Sequence, residues 1–109
     1  MSGMNYTNKV VIITGATSGI GEACASVFGA AGAKLVITGR NAQKLAETAA
    51  MLRAKKLEVL PILADAGSEA DNRRMAEEAL AHFGRVDILI NNAGISMRAL
   101  FQDLDLEVF

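Results

Sequence analysis

The sequence predicts a doubly wound α/β fold, with a parallel sheet in the order 3-2-1-4 and helices on both faces. Three observations lead there. Short β-branched runs alternate with amphipathic helical stretches along the chain, a glycine loop joins the first run to the first helix, and the single proline sits in the third run. In that order the third strand is an edge, where proline is tolerated.

The elements follow in turn. Residues 9–14 (KVVIIT) form a continuous apolar run, the pattern of a strand buried on both faces. Residues 15–21 are a glycine loop. Ile20, Ala23, Cys24, Val27, Phe28 and Ala31 then fall on one helical stripe, with Gly32 as the terminator. Residues 34–38 (KLVIT) predict the second strand. A second helix begins near Asn41, with Ala42, Leu45, Ala46, Ala49 and Leu52 inward and Lys44, Glu47 and Arg53 outward. Residues 57–63 (LEVLPIL), containing Pro61, predict the third strand. Ser68 and Asp71 have capping-box spacing at the start of a third helix. Its core face is Met75, Ala76, Ala79, Leu80 and Phe83, and Gly84 closes it. Residues 86–90 (VDILI) predict the fourth strand, 91–94 a polar turn, and 103–109 the first turn of another helix.

Composition bounds the function. At 109 residues the chain holds one domain or part of one, 51% hydrophobic and 21% charged. Its net charge is −1 and no basic run exceeds two residues (Lys55 with Lys56, Arg73 with Arg74), which is not the footprint of a nucleic-acid binder. The lone Cys24 excludes an internal disulfide and a multi-cysteine zinc site. No apolar run approaches the roughly 20 residues of a membrane span, and the first nine residues do not read as a signal peptide. A reducing cytoplasmic setting is the expectation.

The chemistry concentrates in Thr14-Gly15-Ala16-Thr17-Ser18-Gly19-Ile20-Gly21. A glycine at the strand exit permits a sharp turn, and glycines at the helix start let a phosphate reach N–H groups that lack intrahelical partners. The helix dipole favours the negative charge. The plain alternative is a tight turn that binds nothing, but three glycines in seven residues exceed what a turn requires. The spacing Gly-x-x-x-Gly-x-Gly, with Gly15, Gly19 and Gly21, resembles the cofactor loop of the classical short-chain dehydrogenases/reductases.

That resemblance implies a Rossmann-like NAD(P)-binding domain, with Thr17, Ser18 and Ile20 beside the glycines at the cofactor. An acid after the second strand suits a ribose 2′-hydroxyl, and an arginine suits a 2′-phosphate. Here Gly39 and Arg40 stand in that place, and no Asp or Glu occurs between Glu22 and Glu47. NADP(H) is therefore favoured over NAD(H), with Arg40 as the reader and Ser18 and Asn41 as second contacts. A solvated arginine at a helix start is the simpler reading of Arg40. Asp65 resembles the family's adenine-contacting aspartate, assisted by the backbone of Ala66, with a turn aspartate as the alternative. Asn91, Asn92, Ala93 and Gly94 match the family's NNAG, whose amides brace the central strands while its backbone runs beside the nicotinamide ribose.

The family's Ser and Tyr-x-x-x-Lys have no counterpart in these residues, so no catalytic residue is assigned. The single tyrosine is Tyr6, with Val10 four residues later, and it precedes the first strand. The resemblance thus implies the N-terminal portion of an oxidoreductase acting on carbonyl or alcohol substrates, a homo-oligomer (dimer or tetramer) in its full-length form. By themselves the 109 residues are expected to be inactive. Residues 91–109 look similar to members near the 11β-hydroxysteroid dehydrogenase and dehydrogenase/reductase 7 branches, and to bacterial 3-oxoacyl-carrier-protein reductases. The competing readings are a non-catalytic NADP(H)-binding or interaction module and an inactive truncated product. Against the module stands the fourth strand, expected to be left as an apolar edge without a neighbour.

His82 reads as a solvated helix-end residue and Cys24 as a small core residue. Asp103, Asp105 and Glu107 read as helix N-terminal charge rather than metal ligands. Ser96 and Met97 fit either a substrate mouth or a plain loop.

Overall fold

The computed structural model describes residues 5–92 and 107–108. The elements run β1 (Val10–Thr14), α1 (Gly19–Ala30), β2 (Lys34–Gly39), α2 (Ala42–Ala54), β3 (Val59–Leu63), α3 (Glu69–Phe83), β4 (Ile88–Asn91) and β5 (Glu107–Val108). They form one parallel sheet in the order β3-β2-β1-β4-β5, which contains the expected 3-2-1-4. Pro61 lies in β3, paired with Ile37 of β2, at the sheet edge where its missing N–H is harmless.

The two-residue period of a strand divides the core. Val11, Ile13, Leu35 and Ile37 face one cluster, closed by Ala25 of α1 and by Leu45, Ala49 and Leu52 of α2. Val10, Ile12 and Val36 face the other, closed by Met75 and Ala79 of α3. All five residues of β1 are buried, so it can be occupied only by apolar or fully bonded side chains. No helix among the described residues is long and apolar enough to cross a membrane.

The helices depart from expectation in the face they bury. On α1 the buried positions are Gly21, Ala25 and Gly29, with Cys24 and Phe28 packed partly against the core. Ile20 and Val27 are instead 71% and 54% exposed, and Ala23 is exposed too. The reason is close approach: a Cβ on Gly29 would lie 2.6 Å from Leu57 Cδ1, so only the small-residue edge of the stripe fits against the sheet. On α2, Ala42 and Ala46 are exposed and Thr48, at 5% exposure, is buried. Thr48 lies one turn from Leu45 and Leu52 on the inward line, whereas Ala46 is rotated off it.

Other boundaries shift. β3 begins at Val59 rather than residue 57, because Lys56 turns with φ 64° before it, and Leu57 packs on the core from outside the strand. β4 begins at Ile88 and takes in Asn91, which had been expected in the turn. Ser68 caps α3 by accepting from the Asp71 N–H, but Asp71 does not complete the box. The Ser68 N–H goes to the Asp65 carbonyl and the Asp71 carboxylate to the Asp65 N–H. Gly84 closes α3 in the left-handed conformation, φ 80°.

Residues 107–108, expected in a helix, are a strand paired with Ile88 and Leu89. This overturns the bare edge expected for β4 and the reading of Glu107 as helix N-terminal charge. An apolar strand edge gains more from ladder hydrogen bonds than two residues gain from a helix turn. Asp103, Asp105, Ser96 and Met97 lie outside the described residues.

A charged staple fastens the strand entries opposite the glycine loop. Asp87 Oδ2 accepts from the Val10 N–H at 2.8 Å, while Arg85 grips the carboxylate with Nε and Nη2 at 2.9 and 2.7 Å. Burial by itself would raise the Asp87 pKa. The hydrogen bonds from Arg85 and Val10 and the charges of Arg85 and Lys9 outweigh it and hold the carboxyl below its usual value. A depressed folded-state pKa stabilises above the unfolded value, about 3.9 for Asp, and that contribution is lost as pH falls through the folded value. Asp87→Asn should therefore flatten the loss of thermal midpoint between neutral and acid pH. Parallel pH profiles for the two proteins would contradict the assignment.

Candidate dinucleotide site

A cleft of about 580 Å³ opens at the C-terminal ends of β1, β2 and β3. It is lined by Gly15, Thr17 and Ser18 of the glycine loop, by Thr38, Gly39 and Arg40 at the end of β2, by 64–67 after β3, and by Asn92 after β4. The volume is within the range of small-molecule sites. Seven residues singled out from sequence (Gly15, Thr17, Ser18, Arg40, Asp65, Ala66 and Asn92) thus meet in one place.

The loop is built around Ser18. Its hydroxyl donates to the Gly15 carbonyl at 3.0 Å and accepts from the Gly21 N–H at 3.2 Å, capping α1. Asn92 Nδ2 ties the loop to the exit of β4, donating to the Gly15 carbonyl at 2.9 Å and to Ser18 Oγ at 2.7 Å. Ser18 therefore spends its hydroxyl on the loop itself. Asn91 sits one residue back in β4, where its Oδ1 accepts from Thr14 Oγ1 at 3.3 Å. Both amides brace the strands around β1; Ala93 and Gly94 lie outside the described residues.

The glycines differ in what they permit. A Cβ on Gly21 would lie 2.5 Å from the Gly15 carbonyl oxygen, so this glycine lets α1 pack on its own loop. A Cβ on Gly19 would meet nothing within 4 Å among the described residues. Protein packing does not require glycine there, and the space is open to a ligand. Among the described residues the N–H groups of Gly19 and Ile20 have no acceptor, at the positive end of α1. Open space beside unpaired donors at a helix start suits a phosphate.

Arg40 follows β2 directly, exposed at the cleft, with its long side chain unclaimed by any ion pair among the described residues. Asn41 caps α2 by accepting from the Lys44 N–H at 3.0 Å. Across the cleft, Asp65 Oδ1 accepts from the Gly67 N–H at 2.9 Å, which folds the loop after β3 into a turn. The turn reading of Asp65 is thus seen in the structure, and its other oxygen has no partner among the described residues. A cation (Arg40) and a turn carboxylate (Asp65) thus line one cleft with the glycine loop, and the helix-start donors follow that loop in the chain.

Sequence reasoning did not assign Thr38, Gly39, Ala64 or Gly67 to the lining. Gly39 had a usable signal: a Cβ there would lie 2.9 Å from Thr17 Cγ2, so a larger residue would push the glycine loop away from β2. No group of three or more His, Cys, Asp and Glu among the described residues could hold a metal ion. His82 is exposed and packs edge-on against Phe83. Tyr6 packs edge-on against Phe28 at 5.1 Å, and its N–H donates to the Ala31 carbonyl beyond the C-terminal end of α1, away from the cleft.

The short chain dehydrogenase family profile matches residues 9–109. Dehydrogenase/reductase SDR family member 7B of Bos taurus is 49% identical, over 93% of this chain and 33% of that protein. The 11-beta-hydroxysteroid dehydrogenase 1A of Arabidopsis thaliana is 39% identical, over 93% of this chain and 29% of that protein. Among solved structures, the glucose dehydrogenase of Caenorhabditis elegans in its apo form superimposes with a TM-score of 0.77 at 39% identity, covering 93% of this chain and 44% of that one. The chain therefore spans about a third of the length of the curated relatives it matches.

Proposed function

The chain belongs to the short chain dehydrogenase family, and from that premise we propose that it supplies the NADP(H)-binding half of an oxidoreductase that reduces carbonyls or oxidises alcohols. The observation that carries the proposal is the meeting of the glycine loop (Gly15, Thr17 and Ser18), Arg40 and Asp65 along one cleft, with the Gly19 and Ile20 N–H groups, unpaired among the described residues, next in the chain at the start of α1. In this reading the Gly19 and Ile20 N–H groups hold the pyrophosphate, Arg40 forks onto the 2′-phosphate, and Asp65 with the Ala66 N–H meets the adenine. Asn92 keeps the loop against β4, where the nicotinamide end would lie. The nicotinamide supplies or accepts the hydride when bound.

Hydride delivery to a carbonyl leaves an alkoxide that needs a proton, from a group whose pKa is tuned near neutrality. Among the described residues no tyrosine stands at the cleft to give it: the sole tyrosine, Tyr6, packs on Phe28. The proton donor and the substrate pocket are assigned to the part of the full-length protein that these residues do not include, and that protein is proposed to work as a homo-oligomer. The 109-residue chain should therefore bind 2′,5′-ADP but show no NADPH-dependent reduction of a panel of ketones and quinones, whereas the full-length protein should turn over. Measurable turnover by the 109 residues alone would sink this division of labour.

A further inference from the structure

Three side chains of α3 grip the loop that leaves β3. Asp71 Oδ2 accepts from the Asp65 N–H at 2.8 Å, Asn72 Nδ2 donates to the Ala66 carbonyl at 2.8 Å, and Arg74 Nη2 donates to the Leu63 carbonyl at 2.6 Å. The loop also closes on itself, through Gly67 N–H to Asp65 Oδ1 and Ser68 N–H to the Asp65 carbonyl, both 2.9 Å. Each peptide unit from 64–65 to 66–67 is thus fixed by at least one of its polar groups. In a trans peptide the N–H points opposite to the C=O. With the Asp65 carbonyl turned to Ser68, the Ala66 N–H is turned the other way, and it has no acceptor among the described residues. Ala66 lines the cleft.

Asn72 is the unexpected member of this set. It is 4% exposed and shares a buried helical line with Met75 and Ala79, where an apolar residue would pack. Its Oδ1 is a buried acceptor with no donor among the described residues. Reversing the amide would set that oxygen against the Ala66 carbonyl, two acceptors face to face. A buried unpaired acceptor destabilises the fold, and an apolar side chain of similar shape avoids the penalty. Core packing therefore does not account for an amide here. Its one hydrogen bond goes to the cleft loop.

We infer that Asn72 is a positioning residue for the adenine end of the dinucleotide: by holding the Ala66 carbonyl it fixes the 66–67 peptide, and together with the Asp65–Ser68 bond, which orients the Ala66 N–H, it keeps Ala66 in place at the cleft. This rests on the NADP(H) reading of the site and adds a residue that acts through Ala66 without touching the ligand. Loop order at the adenine end then depends on α3, on the opposite side of the sheet from α1 and α2.

The probe is 2′,5′-ADP, which carries adenine and the 2′-phosphate without nicotinamide, and nicotinamide mononucleotide is the control. In the full-length protein, Asn72→Leu should keep or raise the thermal midpoint while weakening 2′,5′-ADP binding about fivefold, the effect of one lost hydrogen bond. Nicotinamide mononucleotide binding should not change. In the unaltered protein, saturation with 2′,5′-ADP should slow hydrogen exchange at the Ala66 amide about tenfold, with little change at the Asp65 and Gly67 amides. A lower midpoint with unaltered 2′,5′-ADP affinity would make Asn72 a packing residue and overturn the inference. If Asn72→Leu fails to fold, Asn72→Ala, which also removes the bond to the Ala66 carbonyl, takes its place, and unaltered 2′,5′-ADP affinity in that variant overturns the inference. Failure of the unaltered protein to bind 2′,5′-ADP at all would overturn the site reading beneath it.

Discussion

Gly19→Ala is expected to leave the thermal midpoint of the full-length protein nearly unchanged and to weaken NADPH binding by roughly ten- to a hundredfold, about 1.4–2.8 kcal/mol. The added Cβ meets no atom of the described residues within 4 Å, and alanine is a better helix residue than glycine, so the fold has little reason to suffer. The loss falls on the ligand, because the methyl group occupies space beside the unpaired Gly19 and Ile20 N–H groups where a phosphate must approach. Gly21→Ala is the informative contrast. There the Cβ would lie 2.5 Å from a backbone oxygen and 2.7 Å from Ala16 Cα, so loop and helix must separate, lowering both stability and affinity. Thermal melts and fluorescence titrations of the two variants separate these cases. Equal destabilisation by both, or full NADPH affinity in Gly19→Ala, would remove the phosphate from the helix start.

The second large effect is at Arg40. A guanidinium on a 2′-phosphate makes charge-assisted hydrogen bonds, worth about 1.5–3 kcal/mol each when net favourable. Arg40 is exposed, so solvent and salt reduce that value. Arg40→Asp removes the attraction and adds a repulsive carboxylate, which also suits a ribose 2′-hydroxyl. The preference for NADPH over NADH should therefore reverse, with NADPH weakened by about tenfold to a hundredfold. Kd ratios measured at two salt concentrations test this. An unchanged ratio would mean that another group reads the phosphate.

Much of this was legible because it depends on residues adjacent in the chain. The run VVIIT marks a strand buried on both faces, and the structure divides its side chains between two core clusters. The glycine loop, Arg40 after Gly39, and Asp65 each follow a strand in sequence, and a parallel sheet sets the C-terminal ends of β1, β2 and β3 side by side. What failed was non-local. The apolar stripe of α1 is broad, and only contact with Leu35 and Leu57 shows that the edge at Gly21, Ala25 and Gly29 packs inward. Glu107 and Val108 form a strand because β4 offers them a ladder, which no local pattern reports. Ser68 and Asp71 had capping-box spacing, yet Asp71 turns to the Asp65 N–H instead. Asn72 did carry a signal, an amide within an apolar stripe, whose meaning depends on the loop that α3 packs beneath.

A dinucleotide held in the cleft at the strand ends with its 2′-phosphate at Arg40 should show its preference in binding alone. The most direct test is a paired equilibrium titration of the unaltered full-length protein with NADPH and NADH, under one buffer and salt condition. NADPH is expected to bind at least about tenfold more tightly. Equal affinity, or tighter binding of NADH, would contradict it.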